Sequence, residues 1–169
     1  NKAERVCRHK SGKYTVERPL HLGATLAAPE QADVLLEQLS NFGLPLGDAF
    51  QMRDDVLGAF GDTSSSLTGK PIGDDLREGK PTPLLAMAYE CATVAQREVL
   101  DQVGATQISH QEVSDIQQVI IETGALDALE TKISMLVEQS INAVIKSSLD
   151  ESSKSRLIEL AEFVASRKN

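Results

Sequence analysis

Gly47-Asp48-Ala49-Phe50-Gln51-Met52-Arg53-Asp54-Asp55-Val56-Leu57-Gly58-Ala59-Phe60-Gly61-Asp62 sets two adjacent aspartates into a run whose apolar residues return every three or four positions. That period is helical. Gly43, Gly47, Phe50, Asp54 and Gly58 fall on one stripe of the helix, with Gln51 beside them. A glycine inside a helix costs on the order of 1 kcal/mol relative to alanine, so three on one stripe call for a reason. Close packing against another helix is one, and space for a ligand is another. Asp54 on a small and apolar stripe is costly to bury unpaired. A bound Mg²⁺, which takes hard oxygen ligands and keeps waters to pass on to phosphate, offsets that cost. A solvent-exposed aspartate pair is the alternative.

Beyond Gly61 the chain reads as a loop to about Pro83, and Thr68-Gly69-Lys70-Pro71-Ile72-Gly73-Asp74-Asp75-Leu76-Arg77-Glu78-Gly79-Lys80 brackets two more aspartates between two lysines. Gly61 through Lys70 does not satisfy the nucleotide-binding P-loop, because its glycines are too far apart and Pro71 stands where a Ser or Thr would meet Mg²⁺. The alternating acids of an EF-hand are missing too. A loop of about twenty residues, of the kind that is usually functional or disordered, is left to offer ammonium groups and carboxylates to a metal-bound polyphosphate.

Outward from this region the pattern is helical throughout, and the expected fold class is all-α. A first run extends from about Lys2 to Ala27 with a kink at Pro19, and a second from about Glu30 to Phe60 with a kink at Pro45. Pro81 and Pro83 suit the first turn of a third helix, expected to reach Val103 before Gly104 interrupts it. Ser109-x-x-Glu112 is a capping box, and Thr123-Gly124 closes the helix it opens. Two more helices are expected, from about Ala125 to Lys146 and from Ser153 to Arg167. Ile133, Leu136, Val137, Ile141, Val144 and Ile145 give the former a bundle face, and Met52, Met87 and Met135 read as core filler.

The chain has 169 residues, 41% of them hydrophobic. That length suffices to bury roughly 70% of the unfolded surface without a disulfide or metal. Cys7 and Cys91 lie too far apart in sequence to suggest a zinc or redox motif and read as idle thiols of a reducing compartment. Seventeen Lys and Arg against 25 Asp and Glu give a net charge of −8, which excludes a nucleic-acid surface built by bulk charge. No apolar run is long enough to cross a membrane or to serve as a signal peptide. The expectation is a cytoplasmic, non-spanning chain, one helical domain over residues 1–169, that begins as though cut from a longer one.

Phe50-Gln51-x-x-Asp54-Asp55-x-x-Gly58-x-x-Gly61-Asp62, followed by Thr68-Gly69-Lys70 and Asp75 through Lys80, resembles the second aspartate-rich region of trans-isoprenyl diphosphate synthases, and most closely that of bacterial geranylgeranyl diphosphate synthases. Lys10-Ser11-Gly12-Lys13-Tyr14 resembles the family's lysine-threonine element with Ser in place of Thr, and Leu160 to Asn169 its closing helix. The resemblance spans the whole chain. It departs at the fifth position of the D-D-x-x-D pattern, which is Gly58, leaving Asp62 as an outer-shell substitute.

The resemblance implies the C-terminal half of an isoprenoid-synthase helical bundle. Its implied activity is Mg²⁺-dependent head-to-tail condensation of isopentenyl diphosphate with an allylic diphosphate, with geranylgeranyl diphosphate as the expected product. Three Mg²⁺ are expected in an intact homodimeric enzyme. Asp54 is implied as a direct metal ligand, Asp55 as a ligand through water, and Asp75 as the loop aspartate that approaches the same ion. Lys10, Lys70 and Lys80 match the lysines that contact diphosphate, Gln51 the glutamine beside it, Ser11 a further substrate contact, and Phe50 the aromatic near the reacting isoprenoid ends. Asp62, Asp74 and Lys13 are weaker candidates, and Arg167 or Lys168 would cover the isopentenyl site from the tail. His9, His21 and His110 are given no role. The family's first aspartate-rich motif has no counterpart in this sequence, so these residues alone are expected to be inactive. A non-catalytic regulatory subunit of a heteromeric synthase is the alternative. A terpene cyclase is disfavoured, because no N-D-x-x-S-x-x-x-E run is present.

Overall fold

The computed structural model describes residues 8–61 and 73–167, with side chains from residue 12 onward. Among these residues there are eight α-helices and no strand, so the fold is all-α. A π-helical segment, Arg8–Glu17, runs into α1 (Arg18–Ala27), and a 3₁₀ turn, Pro29–Gln31, leads into α2 (Ala32–Phe60). Then follow α3 (Asp74–Arg77), α4 (Pro83–Cys91), α5 (Val94–Leu100), α6 (His110–Glu122), α7 (Ala125–Ile145) and α8 (Glu151–Ser166). The chain divides into two compact units, one of Asn1–Arg53 with Lys132–Arg167 and one of Asp54–Thr131 with Lys168–Asn169.

In the first unit Phe42, Leu46, Ala49 and Met52 of α2 are buried, as are Ile133, Val137 and Val144 of α7 and Ala161 and Val164 of α8. Each large side chain so removed from water contributes about 1.5–3 kcal/mol. The glycine stripe of α2 is used here for packing. A side chain on Gly47 would overlap Gly12 Cα and stand 3.1 Å from its N and O, and one on Gly43 would lie 3.2 Å from Glu17 Cα. Helix backbone therefore fills the space that these two glycines leave, and no ligand is needed to account for them. Glu17 is buried and accepts from Ser40 Oγ at 2.7 Å. Because the Ser40 proton is committed there, His21 Nε2, 2.9 Å from Ser40 Oγ, is the donor in that pair. Met135 is 65% exposed and Ile145 54%, so neither is the core residue that the pattern suggested.

The second unit closes around Leu84 and Ala88 of α4, Leu100 of α5, Val113, Ile116 and Ile120 of α6, and Leu129 of α7. Gln117 Nε2 donates to Ala59 O at 2.6 Å, satisfying a carbonyl in the last turn of α2 that has no partner within the helix. Two expectations fail in this unit. The third helix does not run unbroken to Val103: α4 stops at Cys91, and Thr93 opens α5 with a capping box of its own, Thr93-x-x-Gln96. Nor is the segment after Gly61 a loop throughout, because Asp74–Arg77 is helical. The other boundaries that fall on described residues agree closely, and the expected start of the first run at Lys2 lies outside them. Ser109 forms the capping box of α6 with Glu112, and Gly124 takes φ 74° after its last turn. Pro19 lies in the first turn of α1, where its missing N–H costs no helical bond. Pro45 lies inside an α2 that continues through it without a break.

Candidate functional site

Gln51, Asp54, Asp55 and Gly58 occupy consecutive turns near the C-terminal end of α2. At 3.6 residues per turn, Asp54 and Gly58 share a face and Asp55 is turned about 100° from Asp54. The burial follows that rotation: Asp54 is half-buried, whereas Asp55 is only 5% exposed.

In the first unit, Phe50 and Gln51 are half-buried, and the Arg167 guanidinium stacks over the Phe50 ring at 4.9 Å from its centroid. One turn on, Arg53 Nη2 donates to Ala165 O at 2.9 Å, so the end of α8 is fastened to α2 at two successive turns. Lys10 and Ser11 belong to the π-helical segment, two residues and one residue before the Gly12–Gly47 crossing; their side chains lie outside the described residues. Lys13 is half-buried. His9 falls in the same segment, and its side chain is likewise outside the described residues.

In the second unit, the turn that carries Asp75 and Lys80 is held at several points. Gly73 opens α3 at φ 72°, packed so closely over Val113 that no side chain would fit. Leu76 is buried, and its carbonyl accepts from Gly104 N at 2.9 Å. Gly79 and Gly104 pass backbone to backbone, and a side chain on Gly79 would come within 2.9 Å of Gly104 Cα. Arg77 Nη1 donates to Ile108 O at 2.5 Å, and Arg77 Nη2 lies 3.2 Å from His110 Nδ1. Lys80 N donates to Asp75 O at 3.1 Å, closing the turn on itself.

On that frame the Asp75 carboxyl rests against Gly58. A Cβ built on Gly58 would overlap the Asp75 carboxyl group and lie 3.1 Å from Asp75 Cβ. The other Asp75 oxygen, Oδ1, accepts from Lys80 Nζ, which also pairs with Glu78 Oε2 at 3.0 Å. These hydrogen bonds, to Asp75 first and then to Glu78, raise the Lys80 pKa well above that of an ordinary lysine. Asp74 is half-buried in the first turn of α3. Asp62, Thr68, Gly69, Lys70 and Lys168, singled out from the sequence, lie outside the described residues.

Among the described residues, no three His, Cys, Asp or Glu side chains gather closely enough to hold a metal ion by themselves. Mg²⁺ ordinarily needs fewer, being held by one or two carboxylates, retained waters and substrate phosphate oxygens. Asp54, with Asp75 seated one turn further along the same face, is a donor set of that kind, so the residues present fit a divalent cation. Sequence reasoning missed the Arg77 anchor and the Gly58 seat. Only the unusual density of glycines from 58 to 79 signalled close approach there.

Residues 1–123 match the family model described as polyprenyl synthetase. The chain is 31% identical to geranylfarnesyl diphosphate synthase of Aeropyrum pernix over 163 residues, 96% of this chain and 49% of the relative. It is 32% identical to farnesyl diphosphate synthase of Escherichia coli over 126 residues, 75% of this chain and 39% of that enzyme. A crystal structure of geranylgeranyl pyrophosphate synthase from Corynebacterium glutamicum, complexed with isoprenyl diphosphate and magnesium, superimposes with a TM-score of 0.88 at 36% identity, covering 98% of this chain and 46% of that one. The chain thus spans half or less of the length of these relatives. No described helix is long and apolar enough to cross a membrane.

Proposed function

The chain belongs to the polyprenyl synthetase family, and from that membership we propose that the protein it forms condenses isopentenyl diphosphate head-to-tail with an allylic diphosphate, with geranylgeranyl diphosphate as product. The observation that carries this reading is the pairing of two carboxylates with a lysine: Asp54 on α2, Asp75 seated on the same face at Gly58, and Lys80 on Asp75. The likeness to the Corynebacterium enzyme supports the geranylgeranyl assignment. In this reading the chain supplies one side of a metal clamp, within a larger, cytoplasmic, homodimeric synthase whose other aspartate-rich motif is not in this sequence.

When bound, Mg²⁺, three ions in the intact enzyme, stabilises charge on the departing diphosphate as a Lewis acid. Asp54 and Asp75 hold the cation directly, and Asp55, buried and turned away, acts through water and on the set of the helix. Lys10, Lys70 and Lys80 bind diphosphate oxygens. An ammonium 4 Å from a developing negative charge is worth roughly 4 kcal/mol at an effective dielectric of 20, so placement of the three lysines weighs directly on the barrier. Gln51 and Ser11 orient the diphosphate by hydrogen bonding. As the allylic C1–O bond breaks, its electron pair leaves with diphosphate. The isopentenyl double bond attacks C1, and loss of a proton restores a double bond in the product. Phe50 lines the reacting carbons with an apolar face that excludes water, and Arg167 fixes its ring.

The test is Mg²⁺-dependent transfer of labelled isopentenyl diphosphate onto geranyl or farnesyl diphosphate by the intact protein, with product length read by chromatography. A twenty-carbon product whose formation falls by about a hundredfold or more in Asp54→Ala supports the reading, since loss of one group stabilising transition-state charge costs that much. No incorporation, together with acceleration of a separate catalytic synthase, would instead identify a regulatory subunit.

A further inference from the structure

We propose that His110 is a positioning residue for the turn that carries Asp75 and Lys80: at the start of α6 it offers the Arg77 guanidinium a neutral acceptor and so keeps that cation off the turn's own carboxylates. The inference rests on the reading of Asp75 and Lys80 as groups that meet the metal ion and the diphosphate, and adds to it what leaves them available.

Arg77 sits among negative charge. Asp74, Asp75 and Glu78 all lie within three residues of it, and a charge-assisted bond to a carboxylate is about twice as strong as one between neutral groups. Yet its hydrogen bonds among the described residues end on neutral atoms, Nη1 on Ile108 O at 2.5 Å and Nη2 on His110 Nδ1 at 3.2 Å. A guanidinium only donates, so Nδ1 is the acceptor and the imidazole proton is on Nε2. The course of the chain produces this arrangement. Leu76 is buried and its carbonyl is held by Gly104 N. At about 100° per residue, Asp75 and Arg77 leave the single turn of α3 on either side of Leu76. Asp75 goes to Gly58 and Arg77 to the start of α6, where the capping box of Ser109 with Glu112 sets the backbone that carries His110. Lys80, not Arg77, therefore takes Asp75 and Glu78. The difference matters to the site. A lysine is a mobile point charge that releases a carboxylate oxygen readily, whereas an arginine fork can hold both oxygens of one carboxylate. Without His110 the Nη2 donors lose their neutral partner, and the neighbouring carboxylates take its place.

Mn²⁺ serves as the probe, titrated into the intact protein without substrate and followed by electron paramagnetic resonance, with kcat and KM for geranyl diphosphate measured in parallel. His110→Phe keeps a ring but no acceptor, and His110→Asn keeps an acceptor, Oδ1, in the place of Nδ1. Loss of an outer partner of a metal site typically costs 10–100-fold in affinity or activity, so His110→Phe is expected to weaken Mn²⁺ binding and to lower kcat/KM about tenfold, while His110→Asn stays within about threefold of the unmodified protein. Adding Arg77→Met to His110→Phe removes the competing cation and is expected to bring Mn²⁺ binding back to within about threefold, well inside the range of a lost outer partner. A merely structural role for His110 would give neither the rescue by asparagine nor the recovery on removal of Arg77. His110 is exposed, and far-UV circular dichroism melts confirm that each variant is folded. The proposal is overturned if His110→Phe binds Mn²⁺ and turns over as the unmodified protein does while Asp75→Ala binds weakly, if His110→Asn is as weak as His110→Phe, or if the double variant stays as weak as His110→Phe. If Asp75→Ala binds Mn²⁺ normally and Lys80→Met keeps its full kcat/KM, the reading of this turn as part of the site fails, and the proposal falls with it.

Discussion

Three glycines of the first unit differ in what surrounds them, so one substitution made at each separates intrinsic helix propensity from packing. Gly23, inside α1, has nothing within 4 Å of where a Cβ would stand. Gly23→Ala gains the full helix preference of alanine, about 0.8–1 kcal/mol, and stabilises. Gly43 meets Glu17 Cα at 3.2 Å and Leu20 Cδ1 at 3.4 Å, contacts that yield after a shift of a few tenths of an ångström. There the gain and the crowding nearly cancel. At Gly47 the obstruction is the Gly12 backbone itself, with N and O both at 3.1 Å and Cα inside van der Waals contact. Backbone cannot rotate away as a side chain can, so the π-helical segment must retreat from α2. Overpacking costs about 1–3 kcal/mol, which leaves Gly47→Ala destabilised by up to about 2 kcal/mol after alanine's gain of about 1 kcal/mol is deducted. Urea denaturation of the intact protein should therefore rank Gly23→Ala above Gly43→Ala above Gly47→Ala, with the outer pair about 1–3 kcal/mol apart by the same terms. Because Lys10 lies two residues before the crossing, Gly47→Ala should also raise KM for the diphosphate substrate, while Gly23→Ala leaves it unchanged. A Gly47→Ala protein as stable as Gly23→Ala would refute the close crossing and the reading of the stripe as packing.

Ile120 is fully buried in α6, and Ile120→Ala should cost about 2–5 kcal/mol in urea denaturation. Thr82 is buried and accepts from Leu85 N at 3.2 Å as the N-cap of α4, so Thr82→Ala should cost about 1 kcal/mol by the same measurement. The Lys80 pKa is raised by Asp75 and Glu78, so its stabilising contribution is complete below the ordinary lysine pKa, about 10.4, and is lost only as pH rises beyond it. The stability difference between Lys80→Met and the unmodified protein should accordingly be the same at pH 7 and pH 9. Glu112 and Asp150 have lowered pKa values, through hydrogen bonds from Ser109 and from Ser153. Their contribution is present above the ordinary carboxyl pKa values, near 4, and is lost as pH falls below them. Ser109→Ala should therefore lose less stability than the unmodified protein between pH 5 and pH 3.

What the sequence made legible was local. The box at Ser109-x-x-Glu112 is four residues long and reads directly as a helix start, and α6 begins where it says. Thr93-x-x-Gln96 carries the same information but lies inside a run of good helix formers, and periodicity outweighed the cap. Helix α3 is four residues long with a glycine on either side, too short for any period to register. The glycine stripe was legible as a need for space but not as to what fills it, because Gly12 and Glu17 reach α2 from some thirty residues away. Met135 shows the limit from the other side: its place in the pattern is that of a core residue, yet at this position of α7 it is exposed. The aspartate pair was found together, but the rotation of Asp55 into the interior and of Asp54 toward Gly58 follows from helix geometry only once the packed face is known.

Under the proposed function, the Asp75–Lys80 contact accounts for how a chain of net charge −8 would favour a polyphosphate ligand. Bulk potential opposes the approach of such a ligand. Around Gly58, however, carboxylate and ammonium are held in one turn by backbone hydrogen bonds, so the charges that a diphosphate meets are local and fixed. On that reading a carboxylate taken up by a divalent cation would no longer need the lysine, and the lysine so released would face the anion that the cation brings. Attraction for diphosphate then depends on cation and ammonium together. Lys80→Met should therefore weaken diphosphate binding in the presence of Mg²⁺ while leaving Mn²⁺ binding without substrate undiminished, because the turn is still held through Gly104 N and Ile108 O and a competing positive charge is removed from Asp75. Loss of both together in Lys80→Met would mean that the lysine serves to hold the turn rather than to meet the diphosphate.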